Sequence, residues 1–261
     1  MGRWFARHLA LQGQQVVLFD HDEAGLSSAG QSLGVETATD LNVISAADAL
    51  VFTVPIARFE EAVQTIAPFT RDGQIVIDIT SVKTKPVALM HQYLPHCTVL
   101  GTHPVFGPGA DGVHGQNVVL TPTDVGEEAV ANRLERTLKD LGANVVQMTP
   151  VKHDELMAVV LGLTHYIAII AGDAIFSYDN FAELAQVGGP TFRALLVFAE
   201  SVLSEDPALY SAIQMHLPSL PAIEQGYIAK ANEWAALVAE QDGLGFQARM
   251  SALKNRLAGL A

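Results

Sequence analysis

Residues 15–20 read Gln-Val-Val-Leu-Phe-Asp (QVVLFD), an apolar run that closes on a carboxylate. A short, continuously apolar, β-branched run suits a strand covered on both faces. Just upstream, Arg3 to Gln12 has helical spacing and stops at Gly13, a residue free to take the left-handed conformation that ends a helix. Downstream the same kind of run recurs at Ala49–Val54 (ALVFTV), Gln74–Ile79 (QIVIDI), Thr98–His103, Asn117–Leu120 and Asn144–Met148, with helical stretches between them. Asp124 is placed to cap one of these helices, which runs to about Leu141 and Gly142. Strands alternating with crossover helices predict an α/β domain with a doubly wound, parallel, Rossmann-like sheet over residues 1–150. After Thr149 and Pro150 the strand signals cease. Helical periodicity, broken at Gly188-Gly189-Pro190, Asp206-Pro207 and Leu217–Pro221, predicts an all-α domain over residues 151–261.

The QVVLFD run also carries a chemical signal. Dinucleotide-binding sheets place a glycine-rich turn at the start of a helix and an acidic residue about 20 positions later, at the tip of the next strand. Here Gly2 opens the first helix and Asp20 follows 18 positions on. A carboxylate there accepts hydrogen bonds from ribose hydroxyls and repels a 2′-phosphate, so the expected cofactor is NAD. The strand and the G-x-G that normally precede such a helix are absent from the chain, so the fold is expected to lack its first strand. In the usual strand order that strand lies mid-sheet, and its loss leaves two rows of backbone groups unpaired. One reading of the start is that Met1 is the internal methionine of a G-x-G-x-M-G turn; upstream DNA tests it, and an in-frame stop just before the codon refutes it.

Bulk composition narrows the remaining classes. The chain of 261 residues is 49% apolar, enough to bury a sizeable core. Its 28 acidic and 15 basic residues leave a net charge of -13 with no basic cluster, which argues against nucleic acid and anionic lipid as partners. Cys97 is the only cysteine, so no intrachain disulfide forms, and with no signal-peptide pattern the expected location is cytoplasmic. Leu156–Gly172 (LMAVVLGLTHYIAIIAG) approaches the length of a membrane span, yet His165 lies within it and Asp154, Glu155 and Asp173 bracket it. A buried helix is the expectation. No metal motif, nucleophile elbow or phosphate loop of the Walker type is present in the sequence.

Two further stretches, Asp78–Lys83 (DITSVK) and His103–Pro108 (HPVFGP), resemble the paired signatures of the prephenate dehydrogenase family of tyrosine biosynthesis. Val54-Pro55, Lys152-His153-Asp154, His165, Pro190-Thr191-Phe192-Arg193 and Glu205–Tyr210 fall in the order that family shows. The resemblance implies oxidative decarboxylation of prephenate with hydride transfer to NAD. It makes His103 the base that takes the proton of the C4 hydroxyl, and Ser81 a partner of the substrate hydroxyl or of that histidine. Read without the family, Ser81 is a helix N-cap, and Lys83, placed by the resemblance near the nicotinamide, is an exposed lysine. Arg193 is the expected grip on a substrate carboxylate, with His165 in support; Gly2, Asp20, Val54, Pro55 and Lys83 are the expected cofactor contacts. Asp111 and His114, after HPVFGP, are weaker candidates, because Gly109 stands where relatives often carry an acid. Relatives dimerise through the helical domain, so a homodimer is expected. Rival readings are an arogenate dehydrogenase, a ligand-binding relative without activity, and a β-hydroxyacid dehydrogenase that relies on a lysine.

Overall fold

The computed structural model describes residues 1–259 and divides into two compact units. The first comprises Met1–Met157 together with Leu203–Leu217, and the second comprises Ala158–Val202 and the chain from Pro218 on. In the first unit the order is α1 (Gly2–Leu11), β1 (Val17–Phe19), α2 (Glu23–Leu33), β2 (Glu36–Ala38), a short α3 (Val43–Ala46) and β3 (Ala49–Phe52). There follow α4 (Phe59–Ile66), β4 (Ile75–Asp78), α5 (Thr84–Tyr93), β5 (Thr98–Pro104), β6 (Asn117–Thr121), α6 (Val125–Asp140), β7 (Asn144–Gln147) and α7 (Pro150–Met157). The expected punctuation is in place. Asp124 accepts from the Glu127 N–H at the start of α6 at 2.9 Å. Gly13 and Gly142, at φ 77° and 84°, take the left-handed turn after α1 and α6.

The strands form two sheets, β1-β2 and β3-β4-β5-β6-β7. All ladders are parallel except β5–β6, where His103 faces Val119 and Thr102 faces Leu120 in an antiparallel pair. The expected parallel sheet is interrupted at this one ladder for a topological reason. Every other connection between neighbouring strands contains a helix, whereas residues 105–116 between β5 and β6 contain none, so the chain turns back instead of crossing over. The split itself lies where a mid-sheet strand was expected to be missing: among the described residues β1 has a ladder only with β2, and β3 only with β4.

Two buried apolar clusters cover the five-stranded sheet. Phe52, Val76 and Val99 pack with Phe59, Val63, Met90 and Leu94 of α4, α5 and the turn after α5, while Leu100, Val118, Leu120 and Val145 pack with Ala131 of α6. Each such Val, Leu or Phe, fully withdrawn from water, contributes roughly 1.5–3 kcal/mol.

The helical region departs from the expected boundary. Residues 150–157 belong with the first unit, and Leu203–Leu217, which carries α11 (Pro207–His216), also returns to it and packs on the turn Ile56–Arg58. The second unit contains a π-helical turn at Ala158–Leu163, then α8 (Thr164–Phe176), α9 (Phe181–Val187), α10 (Pro190–Leu203), α12 (Leu220–Ala239) and α13 (Gly243–Ala258). Gly162 lets the π turn approach α12 closely, since a Cβ there would lie 2.6 Å from a Leu220 methyl. Tyr166 meets Tyr227 edge to face, and Arg249 lies over the Trp234 ring at 5.0 Å.

Pro150–Phe176 is long and apolar enough to cross a membrane, with a mean hydropathy of 1.8, but only 17% of that window is buried. The expected buried helix is therefore corrected. Val159 and Val160 are about half exposed and Phe176 is 57% exposed, because α12 covers one side of the helix.

Candidate active site

The site grows from the carboxyl end of β4. Asp78 ends that strand fully buried, and its Oδ1 accepts from the Thr80 N–H at 2.8 Å. Its Oδ2 accepts from the Lys83 ammonium, which also donates to the Thr102 carbonyl at 2.6 Å. Lys83 has no exposed surface at all. The sequence suggested an exposed or cofactor-facing lysine; instead, its head group is committed inside the fold. Gly101 makes the room. A Cβ at that position would lie 2.6 Å from a Val87 methyl and 3.3 Å from Lys83 Cδ. Burial lowers the Lys83 pKa, and the neighbouring Asp78 and Asp154 carboxylates oppose that shift. Such a pair contributes little net stability, but removing one partner strands a buried charge.

His103 stands within β5, one residue before its end, and is 4% exposed. Its Nδ1 lies 2.8 Å from Nε2 of His153, on α7, and Nδ1 of His153 lies 2.8 Å from Asp154 Oδ1. The carboxylate is held in turn by the first turn of α5: Oδ1 accepts from the Lys83 N–H at 2.7 Å and Oδ2 from the Thr84 N–H at 2.8 Å. Asp154 thereby caps a helix from 70 residues away. Burial alone would raise its pKa, but the donors from His153, Thr84 and Lys83 outweigh it and hold the carboxyl below its usual range. Burial pushes His103 well below the ordinary imidazole value, reinforced by His153 and the Lys83 charge. His153 is lowered as well, first by burial. Two neutral imidazoles in series against an ionised carboxylate therefore fill the space between β5, α5 and α7.

Sequence reading named His103 but gave His153 and Asp154 no role beyond family order. The available signal was an adjacent imidazole and carboxylate in the first turn of a helix, which alone does not point to His103. Ser81 is half-buried in the turn after β4, and its hydroxyl has no hydrogen bond among the described residues. It is not the N-cap either: α5 starts at Thr84, with Lys83 in the capping position. Nδ1 of His103 is taken by His153, and Ser81 makes no bond to that ring among the described residues.

The loop after β5 is fastened to α1. Trp4 Nε1 donates to the Ala110 carbonyl at 2.7 Å, His8 contacts the Asp111 carbonyl at 3.0 Å, and the Trp4 ring meets Phe106 edge to face. Asp111 thus takes part through its backbone, and the His114 ring packs under Gly142. At the other end of α1, a Cβ on Gly2 would lie 2.8 Å from Thr53 Oγ1, so that helix start approaches the residue after β3 as only glycine allows. Among the described residues no side chain caps α1. Val54 and Pro55 continue from Thr53 and lead into the turn Ile56–Arg58. Asp20, at the tip of β1, spends Oδ1 on the Asp22 N–H at 3.1 Å and on His21. An uncapped helix start pressed onto a strand end, with a half-exposed carboxylate beyond the neighbouring strand, fits a dinucleotide phosphate and ribose. A surface hollow of about 550 Å³ between α2 and β2 is lined by Ser27, Gly30, Gln31 and Thr37 and includes none of the expected site residues.

The second unit holds the two remaining candidates. His165 is half-buried in the first turn of α8, directly after the π turn, with a pKa lowered by burial. Arg193 is exposed in the first turn of α10, as expected, and its Nε donates to the Gly188 carbonyl at 3.2 Å.

Comparison with known proteins agrees with this architecture. The family model for the nucleotide-binding domain of prephenate dehydrogenase matches residues 5–147, and that for the prephenate dehydrogenase dimerization domain matches residues 149–252. A probable arogenate/prephenate dehydrogenase of Methanocaldococcus jannaschii is 31% identical over 250 residues, covering 94% of this chain and 56% of the relative. The T-protein of Enterobacter agglomerans is 28% identical over 247 residues, covering 94% of this chain and 62% of its own. This chain therefore spans little more than half the length of these curated relatives. The crystal structure of prephenate dehydrogenase from A. aeolicus in complex with hydroxyphenyl propionate and NAD+ shares the fold, with a TM-score of 0.81 at 22% identity over 100% of this chain and 95% of that one. Two family models that meet near residue 148 and leave only the ends unmatched agree with the motifs at 78–83 and 103–108: the chain belongs to the prephenate dehydrogenase family.

Proposed function

We propose that this protein oxidatively decarboxylates prephenate to 4-hydroxyphenylpyruvate, with NAD as the hydride acceptor. The observation that carries the reading is His103, buried and held neutral, with one ring nitrogen engaged by His153 and the other without a partner among the described residues. A neutral imidazole is a competent proton acceptor, and burial removes the water that would compete for it. His103 takes the C4 hydroxyl proton as the C4–H bond breaks. The electron pair of the bond to the ring carboxylate moves into the ring, carbon dioxide leaves, and the proton returns to the phenolic oxygen. Bound NAD supplies the acceptor for the C4 hydride. Gly2 and the start of α1 would hold its phosphates, Asp20 its ribose, and Val54 and Pro55 would border it. Arg193 offers a guanidinium fork to a substrate carboxylate, and His165 supports it. The carboxylate on β1 favours NAD over NADP.

Arogenate, with an amino group in place of the keto group, is the second substrate to weigh, since a curated relative's name carries both. Initial rates with each substrate, with NAD and with NADP, decide the question. Faster turnover of prephenate with NAD is expected; an arogenate preference of tenfold or more overturns it. The split between β1 and β3 supports a third reading, a protein that binds ligand without turning it over, and calorimetric titration with NAD separates binding from catalysis. We also read the second unit as the face of a homodimer: Val187, Val197, Val238, Leu244 and Met250 are each at least 60% exposed on its helices. Light scattering should give twice 27.9 kDa.

A further inference from the structure

We propose that His153 and Asp154 are positioning residues that hold His103 in the tautomer protonated on Nδ1, so that its Nε2 presents a lone pair to the hydroxyl being oxidised. The inference rests on the reading of His103 as the base, and its direction follows from hydrogen-bond polarity. Asp154 takes two backbone N–H groups, from Lys83 and Thr84, and an ionised carboxylate has no proton to give. The contact at 2.8 Å between its Oδ1 and His153 Nδ1 therefore requires a proton on that nitrogen. A neutral imidazole protonated on Nδ1 has a lone pair on Nε2. His153 Nε2 is thus the acceptor in the contact at 2.8 Å with His103 Nδ1, and His103 must be the donor. That leaves His103 Nε2 unprotonated.

Polarity set this way needs both rings neutral. The charged and titratable groups around the pair are the Lys83 ammonium, paired with Asp78, and Asp154. Burial and the lysine charge resist a second proton on His153, while Asp154 favours it. If His153 were doubly protonated, its Nε2–H would claim the His103 Nδ1 lone pair and place the His103 proton on Nε2, the wrong nitrogen for a base. The buried Lys83 ammonium, which the chemistry does not otherwise use, thus acts as a fixed positive charge that helps to keep both imidazoles neutral.

The first test reads the unaltered protein, with variants used only to assign its spectra. Long-range proton–nitrogen correlation spectra of the full 15N-labelled chain at neutral pH report each imidazole tautomer, with His103→Asn and His153→Gln supplying assignments. His103 protonated on Nδ1 and bare on Nε2 is the expected result; a proton on Nε2 overturns the proposal. Turnover provides the second test, made at His153 because Asp154 also caps α5. His153→Leu should lower kcat about a hundredfold with KM within about twofold, a loss typical of groups that orient a catalytic residue. His153→Gln can donate to Asp154 with its amide and accept from His103 with its carbonyl, and should recover part of that loss. Equal kcat for wild type and His153→Leu, or equal loss in the Leu and Gln variants at matched melting temperature, refutes the positioning role. Absence of turnover by the unaltered chain instead refutes the reading of the reaction, and the tautomer measurement still stands on its own.

Discussion

Within the first unit, the two sheets are built from similar sequence and end in different states. β4, β5 and β6 each have a ladder on both sides, and Val76, Leu100 and Leu120 are completely buried. β1 is drawn from an equally apolar run, yet among the described residues it pairs only with β2, and Val17 and Phe19 are 38% and 39% exposed. The proposed base and its supports hang on the five-stranded sheet, through β4, β5 and the α5 start; the acid expected to meet the cofactor ribose hangs on the two-stranded one. An apolar strand is stabilised by neighbours on both edges and both faces, and composition does not supply them. Chemistry at His103 should therefore tolerate little change, whereas the β1–β2 part should yield to substitution at small cost.

Substitutions can break or sharpen that contrast. The largest effect is expected at His103: His103→Asn keeps a polar amide near the Nδ1 position but removes the base and should lower kcat by about 10²–10⁴, measured with prephenate and NAD. A variant within tenfold of wild type would remove the imidazole from the reaction. Next is the ion pair beneath it. Lys83→Met leaves Asp78 buried and uncompensated, so unfolding free energy from denaturant titration should drop by about 3–5 kcal/mol, and adding Asp78→Leu should restore much of it. Third is a matched pair across the two sheets: Leu100→Ala should cost about 2–5 kcal/mol, and Val17→Ala well under 1 kcal/mol, because one opens a cavity and the other trims a partly solvated strand. Equal losses would show the two-stranded sheet to be as tightly packed as its neighbour.

The smallest effect is that of pH. In the folded chain the His103 pKa lies well below its ordinary value of 6.5 because of burial, and His153 is shifted the same way. Below that ordinary value the unfolded chain binds protons that the folded chain refuses, so stability is full above it and falls as pH drops through it. Melting temperatures taken from pH 7.5 down to 5.5 should decline, and less steeply in His103→Asn; identical slopes would contradict the shift.

Local signals were legible from the residues alone. Alternating runs and helical stretches gave the α/β layout, Asp124 and Gly142 bounded α6, Gly13 ended α1, and Gly2 with Asp20 marked a dinucleotide pattern. His103 was named through the family resemblance of the motif at 103–108, since without it the residue reads as an exposed loop histidine. These depend on interactions within one or two turns or on side-chain periodicity, which neighbouring residues determine. The return of β6 against β5, the withdrawal of Lys83 from solvent, and the line from Asp154 through His153 to His103 were decided by tertiary structure. Each joins residues about 20 to 70 positions apart: Lys83 to Thr102, His103 to His153, Thr84 to Asp154. Such contacts exist only after the sheet and α7 have packed, because burial makes an unmet donor or acceptor costly and so selects the partners that meet it.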